Sequence, residues 1–259
     1  MATKKNELVA AEQEMGLVER PDWMKDTGRG NEGVGINELT IPRIEIIQDL
    51  SPQRKKSEAK YIPGAEEGMA FNSVSSELYG SALIIIPVFF QKEWVIWKDR
   101  KKGGGFAGAF ASELEAEKAR RELKDADDHD VLDTHQHYVL VVKGTKDKPV
   151  FEEAVMSMSK SKMKASRQLN TLAKMAGGDR FSRMYRMEVV PDQNKNGDSY
   201  FNWRVSPLGY VTKEMYTAAE ALYNAVSSGQ RAIDRSHDDE EASAPRGSTA
   251  TPTDGDDEF

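Results

Sequence analysis

Apolar positions along this chain fall mostly into short alternating or continuous runs, with a few separated helical stretches, and both ends of the chain are polar. Residues 1–36 are polar with Gly28, Gly30, Gly33 and Gly35 near their end, which predicts a flexible N-terminal arm with a short helix around Val9–Val18. Order is expected to begin at Leu39-Thr-Ile-Pro-Arg-Ile-Glu-Ile-Ile47, followed by a loop from Ser51 to Gly68. Ala82–Phe90 is the strongest strand; both its faces are apolar, so it should be central and buried. Pro87 cannot donate to a ladder, so a bulge or an edge position is expected there. Glu93–Lys98 reads as a second strand, and Lys101-Lys-Gly-Gly-Gly-Phe106 as a flexible turn.

Further along, Ser112–Leu123 is helical in composition with Ser112 as cap, and Asp125–Asp133 reads as an acidic loop. His137–Val142 and Val150–Met158 pair as a hairpin across Lys143–Lys148. A helix over Lys160–Ala176 should stop at Gly177-Gly178. Phe181–Val190 and Tyr200–Val205 read as strands joined by the turn-rich Asp192–Asp198. Met215–Val226 forms a last helix, with Thr212 as cap, Gly229 as stop and an apolar stripe of Met215, Ala218 or Ala219, Leu222 and Val226. The fold class is therefore mainly β with added helices (α+β), either an OB-like barrel or a curved antiparallel sheet. It comprises a flexible arm over 1–36, an OB-like nucleic-acid-binding domain over 37–230 and a disordered acidic tail over 231–259.

Composition narrows the setting. The 259 residues contain no cysteine, which removes disulfides and thiolate metal sites and suits a reducing compartment. No apolar run is long enough to span a bilayer, and Met1-Ala-Thr-Lys-Lys-Asn lacks a signal-peptide core. A cytoplasmic protein is expected, in the host cell if viral, with no membrane partner. The net charge of −7 is carried entirely by His237–Phe259, which hold eight acids and one base, leaving 35 acids and 35 bases elsewhere. A neutral body can still bear a basic face.

That face is expected on the helix over Lys160–Ala176. Ala165, Leu169, Leu172 and Ala176 fall on one side of a helical wheel, and Lys160, Lys164, Arg167 and Lys174 on the other. Lys160–Arg186 contain eight bases and one acid, Asp179. Four cations in a stripe suit a phosphate backbone, although such a stripe is also an ordinary solvated face. The following strands add Arg183, Arg186 and Arg204, interleaved with Phe181, Tyr185 and Tyr200. Cations track phosphates while rings stack on unpaired bases, at about 1–3 kcal/mol per base. Alternation puts Phe201, Trp203 and Val205 on one face of the last strand and Tyr200, Asn202 and Arg204 on the other. Trp94 and Trp97, with Lys98, Arg100, Lys101 and Lys102, form a second candidate contact at a glycine-rich turn.

Catalytic signals are weak. His135 and His137 share a strand face near Asp133, so a metal site is conceivable, but a solvated acidic loop running into a strand is the preferred interpretation. Asp99-Arg-Lys101 matches the end of a nuclease motif without an upstream partner, and no nucleophile elbow, zinc-protease helix or dinucleotide fingerprint occurs. No metal, cofactor or enzymatic activity is expected.

The chain ends Asp254-Gly-Asp256-Asp257-Glu258-Phe259. This acidic tip closing on an aromatic residue, together with the arm and the β-rich body, resembles single-stranded DNA-binding proteins, above all replication proteins of tailed bacteriophages. Their bacterial counterparts end in acids followed by Pro-Phe, where this chain has Glu258-Phe259. The resemblance implies an OB-fold, non-specific single-strand binding in replication, recombination or repair, and a tail that competes with DNA for the basic surface. A tether of about 22 residues reaches roughly 25 Å and gives an effective concentration on the order of millimolar. Asp254, Asp256, Asp257, Glu258 and Phe259 would then recruit a polymerase, helicase, nuclease or recombination partner. The alternatives are a non-enzymatic adaptor or virion-associated protein with a solubilising tail, and a magnesium-dependent nuclease using the Asp125–Asp133 acids. Homo-oligomerisation is left open.

Overall fold

The computed structural model describes residues 29–32, 41–145, 148–194 and 197–229. The expected arm and its helix around Val9–Val18, apart from a turn at 29–32, lie outside the described residues, as does the acidic tail from 231 onward. The chain divides into two compact units, Met1–Leu39 and Thr40–Phe259. In the first, the turn at 29–32 is closed by Gly30 N–H donating to Glu32 Oε2 at 2.8 Å. The second holds the sheets and helices.

Nine strands and three α-helices occur among the described residues of this unit. In chain order they are β1 (Ile44–Ile46), β2 (Ala70–Asn72), β3 (Leu78–Gly80), β4 (Ala82–Lys98), β5 (Phe106–Phe110), α1 (Glu113–Glu122), β6 (His129–Thr145), β7 (Lys148–Ser159), α2 (Met163–Ala176), β8 (Arg183–Gln193), β9 (Ser199–Tyr210) and α3 (Lys213–Ser227). β1, β2 and β3 make a small antiparallel sheet. The large sheet runs β7-β6-β4-β8-β9, with β5 also paired to β4, and every ladder in it is antiparallel. The α+β class follows.

β4 is central, as its two apolar faces require. It pairs with β6 along nearly its whole length, with β8 through Ala82–Ile85, and with β5 from Trp94. The two expected strands are in fact one 17-residue strand. A bulge explains the difference. Pro87 stands opposite Val139 and Phe89 opposite Tyr138, so Val88 is the extra residue. One extra residue moves all later side chains to the other face. Before the bulge Leu83 and Ile85 share a face with Val139 and Val141; after it Phe90, Lys92 and Trp94 share that face with His137, His135 and Asp133.

Each face of the large sheet carries a core. On one, Ala165, Leu169 and Ala173 of α2 pack against Leu83, Ile85, Val139, Met156, Met187, Trp203 and Val205. On the other, Met215, Ala219, Leu222 and Val226 of α3 meet Ile86, Val88, Tyr138, Leu140 and Val155. α3 begins where Thr212 Oγ1 accepts from Met215 N–H at 3.3 Å, and α1 where Ser112 Oγ accepts from Glu115 N–H at 3.3 Å. α2 ends at Gly177, whose φ of 72° no β-carbon favours.

No ladder joins edge strands β7 and β9 among the described residues, so the sheet is open and belongs with a curved antiparallel sheet rather than a closed five-stranded barrel. Residues 42–48 bridge the two edges instead. Val155 N–H of β7 donates to Pro42 O at 2.8 Å. At the other edge Gln48 Nε2 donates to Phe201 O of β9 at 2.8 Å, and Phe201 N–H donates to Gln48 Oε1 at 2.8 Å. Gln168 Nε2 of α2 donates to Val205 O at 3.2 Å. Side chains thus satisfy edge groups of β9 that would otherwise invite another strand. Gly68 lies against the same edge, where an added β-carbon would stand 2.8 Å from the Phe201 ring.

The expected Asp125–Asp133 loop is shorter than its composition implies. Ala126–Asp128 form a 3-10 turn and β6 begins at His129. Gln48→Leu removes both side-chain bonds to Phe201 and should lower unfolding stability by about 1–3 kcal/mol in denaturant titrations. A midpoint shift below about 0.5 kcal/mol would mean water replaces the bridge.

Candidate nucleic-acid interface

α2 presents the stripe that its periodicity implies. Lys160, in the 3-10 turn Lys160–Lys162 that leads into the helix, and Lys164, Arg167 and Lys174 are all exposed, and no ion pair involves them among the described residues. Lys160 has φ 49°, a left-handed conformation costly for a residue with a β-carbon, at the point where β7 hands over to the helix.

This turn is fastened to β9. Asn202 Nδ2 donates to Ser161 O at 3.1 Å and to Asp192 Oδ2 at 3.0 Å, and Tyr200 Oη donates to Asp192 Oδ2 at 3.1 Å. The Asn202 bond, the Gln193 N–H and the nearby Lys164 charge all hold the Asp192 carboxyl below its ordinary range. The start of the cationic stripe therefore adjoins Tyr200. Further along β9, Arg204 donates to Glu188 at 2.7–2.9 Å, and Arg186 donates to the other oxygen of Glu188 at 2.9 Å. Two guanidiniums on one carboxylate leave a net positive charge and hold Glu188 low, Arg204 contributing most. In the register, Tyr200, Arg204, Arg186 and Glu188 share the sheet face opposite Met187, Val189 and Trp203.

Other candidates are placed less openly. Tyr185 is fully buried in the α2 core, so its ring is closed to bases, which corrects its assignment to the DNA-binding surface. Trp203, at 5% exposure, is a core residue. Arg183 is half-buried, donates to Leu208 O at 2.6 Å and lies 5.6 Å from the exposed Tyr210 ring.

At the other end of β4 the basic turn meets the acidic segment. Lys98 is paired with Asp125, Lys102 with Asp128 at 3.6 Å and Lys92 with Asp133 at 3.2 Å. The hydrogen bond and charge of Asp125 raise the Lys98 ammonium, and Lys98 lowers Asp125 in return. The turn itself is closed on Asp99, whose carbonyl accepts from Lys102 and Gly104 N–H and whose Oδ1 accepts from Lys101 N–H at 2.7 Å. Lys101 is exposed; Arg100 lies in the same 3-10 turn. Trp94 and Trp97 are both half-buried, the first with Lys92 Nζ 4.6 Å from its ring and the second edge-on to Phe106 at 5.8 Å. Three of the acids that a magnesium-dependent nuclease would use, Asp125, Asp128 and Asp133, are thus engaged by lysines. Among the described residues no three His, Cys, Asp or Glu are grouped to hold a metal.

One constellation escapes the sequence pattern. His135 and His137 are not part of a solvated loop, being 8% and 0% exposed. Ser166 Oγ of α2 lies 2.6 Å from His135 Nδ1 and 2.7 Å from His137 Nε2. Arg180 Nη2 lies 3.0 Å from His137 Nδ1 and donates to Asn170 Oδ1 at 2.8 Å. Since a guanidinium only donates, His137 Nδ1 must accept, so its proton is on Nε2 and points at Ser166. The Ser166 hydroxyl hydrogen then points at His135 Nδ1, and the His135 proton is on Nε2, 3.7 Å from Asp133 Oδ1. The chain runs in one direction from Arg180 through His137, Ser166 and His135 toward Asp133. Both imidazoles are neutral in this arrangement. Burial lowers both, His137 the more, with Arg180 adding to the effect there. Burial also lowers the Arg180 guanidinium, to about 10. Phe90 packs against both imidazoles, at 5.0 and 5.2 Å between ring centres. The i, i+2 histidines are visible in sequence, whereas the serine and arginine that complete the chain come from α2 and the 3-10 turn Arg180–Ser182.

An open antiparallel sheet with a cationic helix on one face defines an α+β protein with a basic surface and no assembled metal cluster among the described residues. Residues 10–232 match the model of a family described as Pam3 phage gp34-like protein. The match covers most of the sequence, and the chain belongs to that family of phage proteins. No curated protein and no solved structure matches it. No helix among the described residues is long and apolar enough to cross a membrane.

Ser166→Ala leaves two buried imidazole nitrogens without their partner. It should cost about 1–3 kcal/mol of unfolding free energy, read from denaturant midpoints at pH 7.5. Ser166→Thr, which keeps the hydroxyl, should recover part of it. Equal stability of all three proteins would show that the chain does not hold α2.

Proposed function

We propose that this phage-family protein is a non-enzymatic, non-sequence-specific single-stranded DNA-binding protein acting in phage DNA replication or recombination. The observation that carries this reading is the stripe of exposed cations on α2, whose N-terminal end is fastened to β9 beside Tyr200; Arg204 and Arg186 add positive charge on the opposite face of the sheet. Phosphates would follow Lys160, Lys164, Arg167 and Lys174, and Tyr200 would offer a ring to an unpaired base. The β4–β5 turn is a weaker contributor, because Lys98 and Lys102 are already paired. Membership in a phage family agrees with the setting. The acidic residues Asp254, Asp256, Asp257 and Glu258 would compete with DNA for the stripe, and Phe259 would anchor a replication or recombination partner.

An electrophoretic shift with labelled oligonucleotide, with and without magnesium, tests this directly. Retarded and intact DNA supports the binder, shortened DNA a nuclease, and no shift at low salt an adaptor or virion-associated protein. Replacing Lys164 and Arg167 by Gln should weaken binding and reduce the salt slope by about 0.7 for each phosphate no longer neutralised. An unchanged slope would make the stripe a solvated face only.

Deleting Asp254–Phe259 should tighten binding at low salt, by more than the change seen at high salt, because a tethered polyanion is removed. Fluorescence anisotropy titrations check this. Equal affinities at both salt concentrations would remove the competition.

A further inference from the structure

The buried chain ends beside the cationic stripe. Ser166, its hub, stands 2.6 Å from His135 Nδ1 and is followed in the helix by Arg167, so the Arg167 backbone lies beside His135; the Arg167 charge acts with burial against protonation of that imidazole. The groups facing His135 are Asp133 on its own strand, Lys92 on β4, and Ser166 and Arg167 on α2; His137 lies beyond Ser166, and the Phe90 ring stands edge-on. Two cations and one carboxylate surround the imidazole, so its neutral state rests on burial and on a positive balance of neighbours. A phosphate neutralises a cation at close range. We propose that His135 is a positioning residue coupled to ligand on α2: an anion seated at Arg167 draws a proton onto the His135 ring, and protonation in turn favours the anion. This rests on the nucleic-acid reading of the stripe.

The proton has a defined place. His135 Nδ1 accepts from Ser166 in the neutral state; on protonation it becomes a donor, and Ser166 Oγ, with two lone pairs, accepts from both imidazoles while its hydroxyl, keeping its hydrogen, rotates away from His135. His135 Nε2–H stays directed at Asp133. Asp133 Oδ1 is buried without a hydrogen bond, so a full positive charge on the imidazole gives that oxygen a stronger partner. The sign follows from linkage. Neighbouring cations and burial depress protonation in the free protein, and a bound phosphate relieves one of those causes. Binding therefore takes up protons, and affinity rises as pH falls below the ordinary histidine value of about 6.5.

The test uses the full chain and oligothymidylate, whose bases do not titrate in this range. At pH 7.5 binding reports on the nucleic-acid reading alone, and its absence there would remove that reading. Between pH 7.5 and 5.5 the wild-type protein should bind more tightly by up to about tenfold per pH unit. His135→Gln and Arg167→Gln should each lower this pH dependence, while Lys174→Gln should weaken binding and leave it in place. The same slope in the wild type and both coupled variants would overturn the inference. Should His135→Gln fail to fold, calorimetry of the wild type at pH 6 in two buffers of different ionisation enthalpy counts the protons directly. Uptake on binding supports the coupling, and none overturns it.

Discussion

The large sheet is organised by one irregularity, the extra residue at Val88 in β4. Proline at 87 has no N–H to offer, and it falls where β4 has no second ladder: pairing with β8 ends at Ile85 and pairing with β5 begins at Trp94. The bulge reverses the alternation at that gap. Without it, the face that receives Leu83 and Ile85 would next receive Phe89, Gln91 and Glu93. With it, that face receives Phe90, Lys92 and Trp94, and the strand passes from an aliphatic core to a polar one.

The polar half of the face is what α2 then has to satisfy. Burying two imidazoles is costly unless their nitrogens are bonded. Ser166 meets both, and Arg180, which can only donate, fixes the His137 proton on Nε2, aimed at Ser166. Because Arg180 also holds Asn170, the network touches α2 at two points one turn apart. The aliphatic contacts of Ala165, Leu169 and Ala173 supply most of the burial, while the polar contacts admit one rotation of the helix. The direction in which the cationic stripe faces follows from that rotation.

Much of the fold is legible in the sequence, and the misses share a cause. Helix limits are visible because Ser112, Thr212 and Gly177 are local signals at local positions. The β6–β7 hairpin is visible because two apolar runs flank a short polar turn, and their ladder runs without a register shift. β4 reads as two strands because a parity change looks like a break, and the short β2, β3 and β5 have too few residues to show a period. The site divides in the same way. Exposure of the α2 cations can be read from a helical wheel. The burial of Tyr185 cannot, since the residues two places away are Arg183 on one side and Met187 on the other, and register decides between them. The lysine pairs of the β4–β5 turn depend on ladders between residues about 30 positions apart.

Those pairs alter the weight of the basic residues. By composition the body is neutral, and the structure distributes that neutrality unevenly. Around β4, β5 and β6, Lys92, Lys98 and Lys102 each stand opposite an acid supplied by the neighbouring strand or turn. On β8 and β9 two arginines share one glutamate. On α2 no ion pair forms at Lys164, Arg167 or Lys174 among the described residues, over about 15 Å along the axis, and Asp192 is the acid whose carboxyl the Lys164 charge acts on. Like charges along one helix face repel and weaken it slightly. The face tolerates this because the helix is held from beneath by its apolar stripe and by the Ser166 and Asn170 bonds, not by pairing along its outer surface. A row of cations without ion-pair partners, on a helix held from beneath, is a local excess of positive potential in a body that is neutral by composition, and local potential rather than net charge sets the character of a surface.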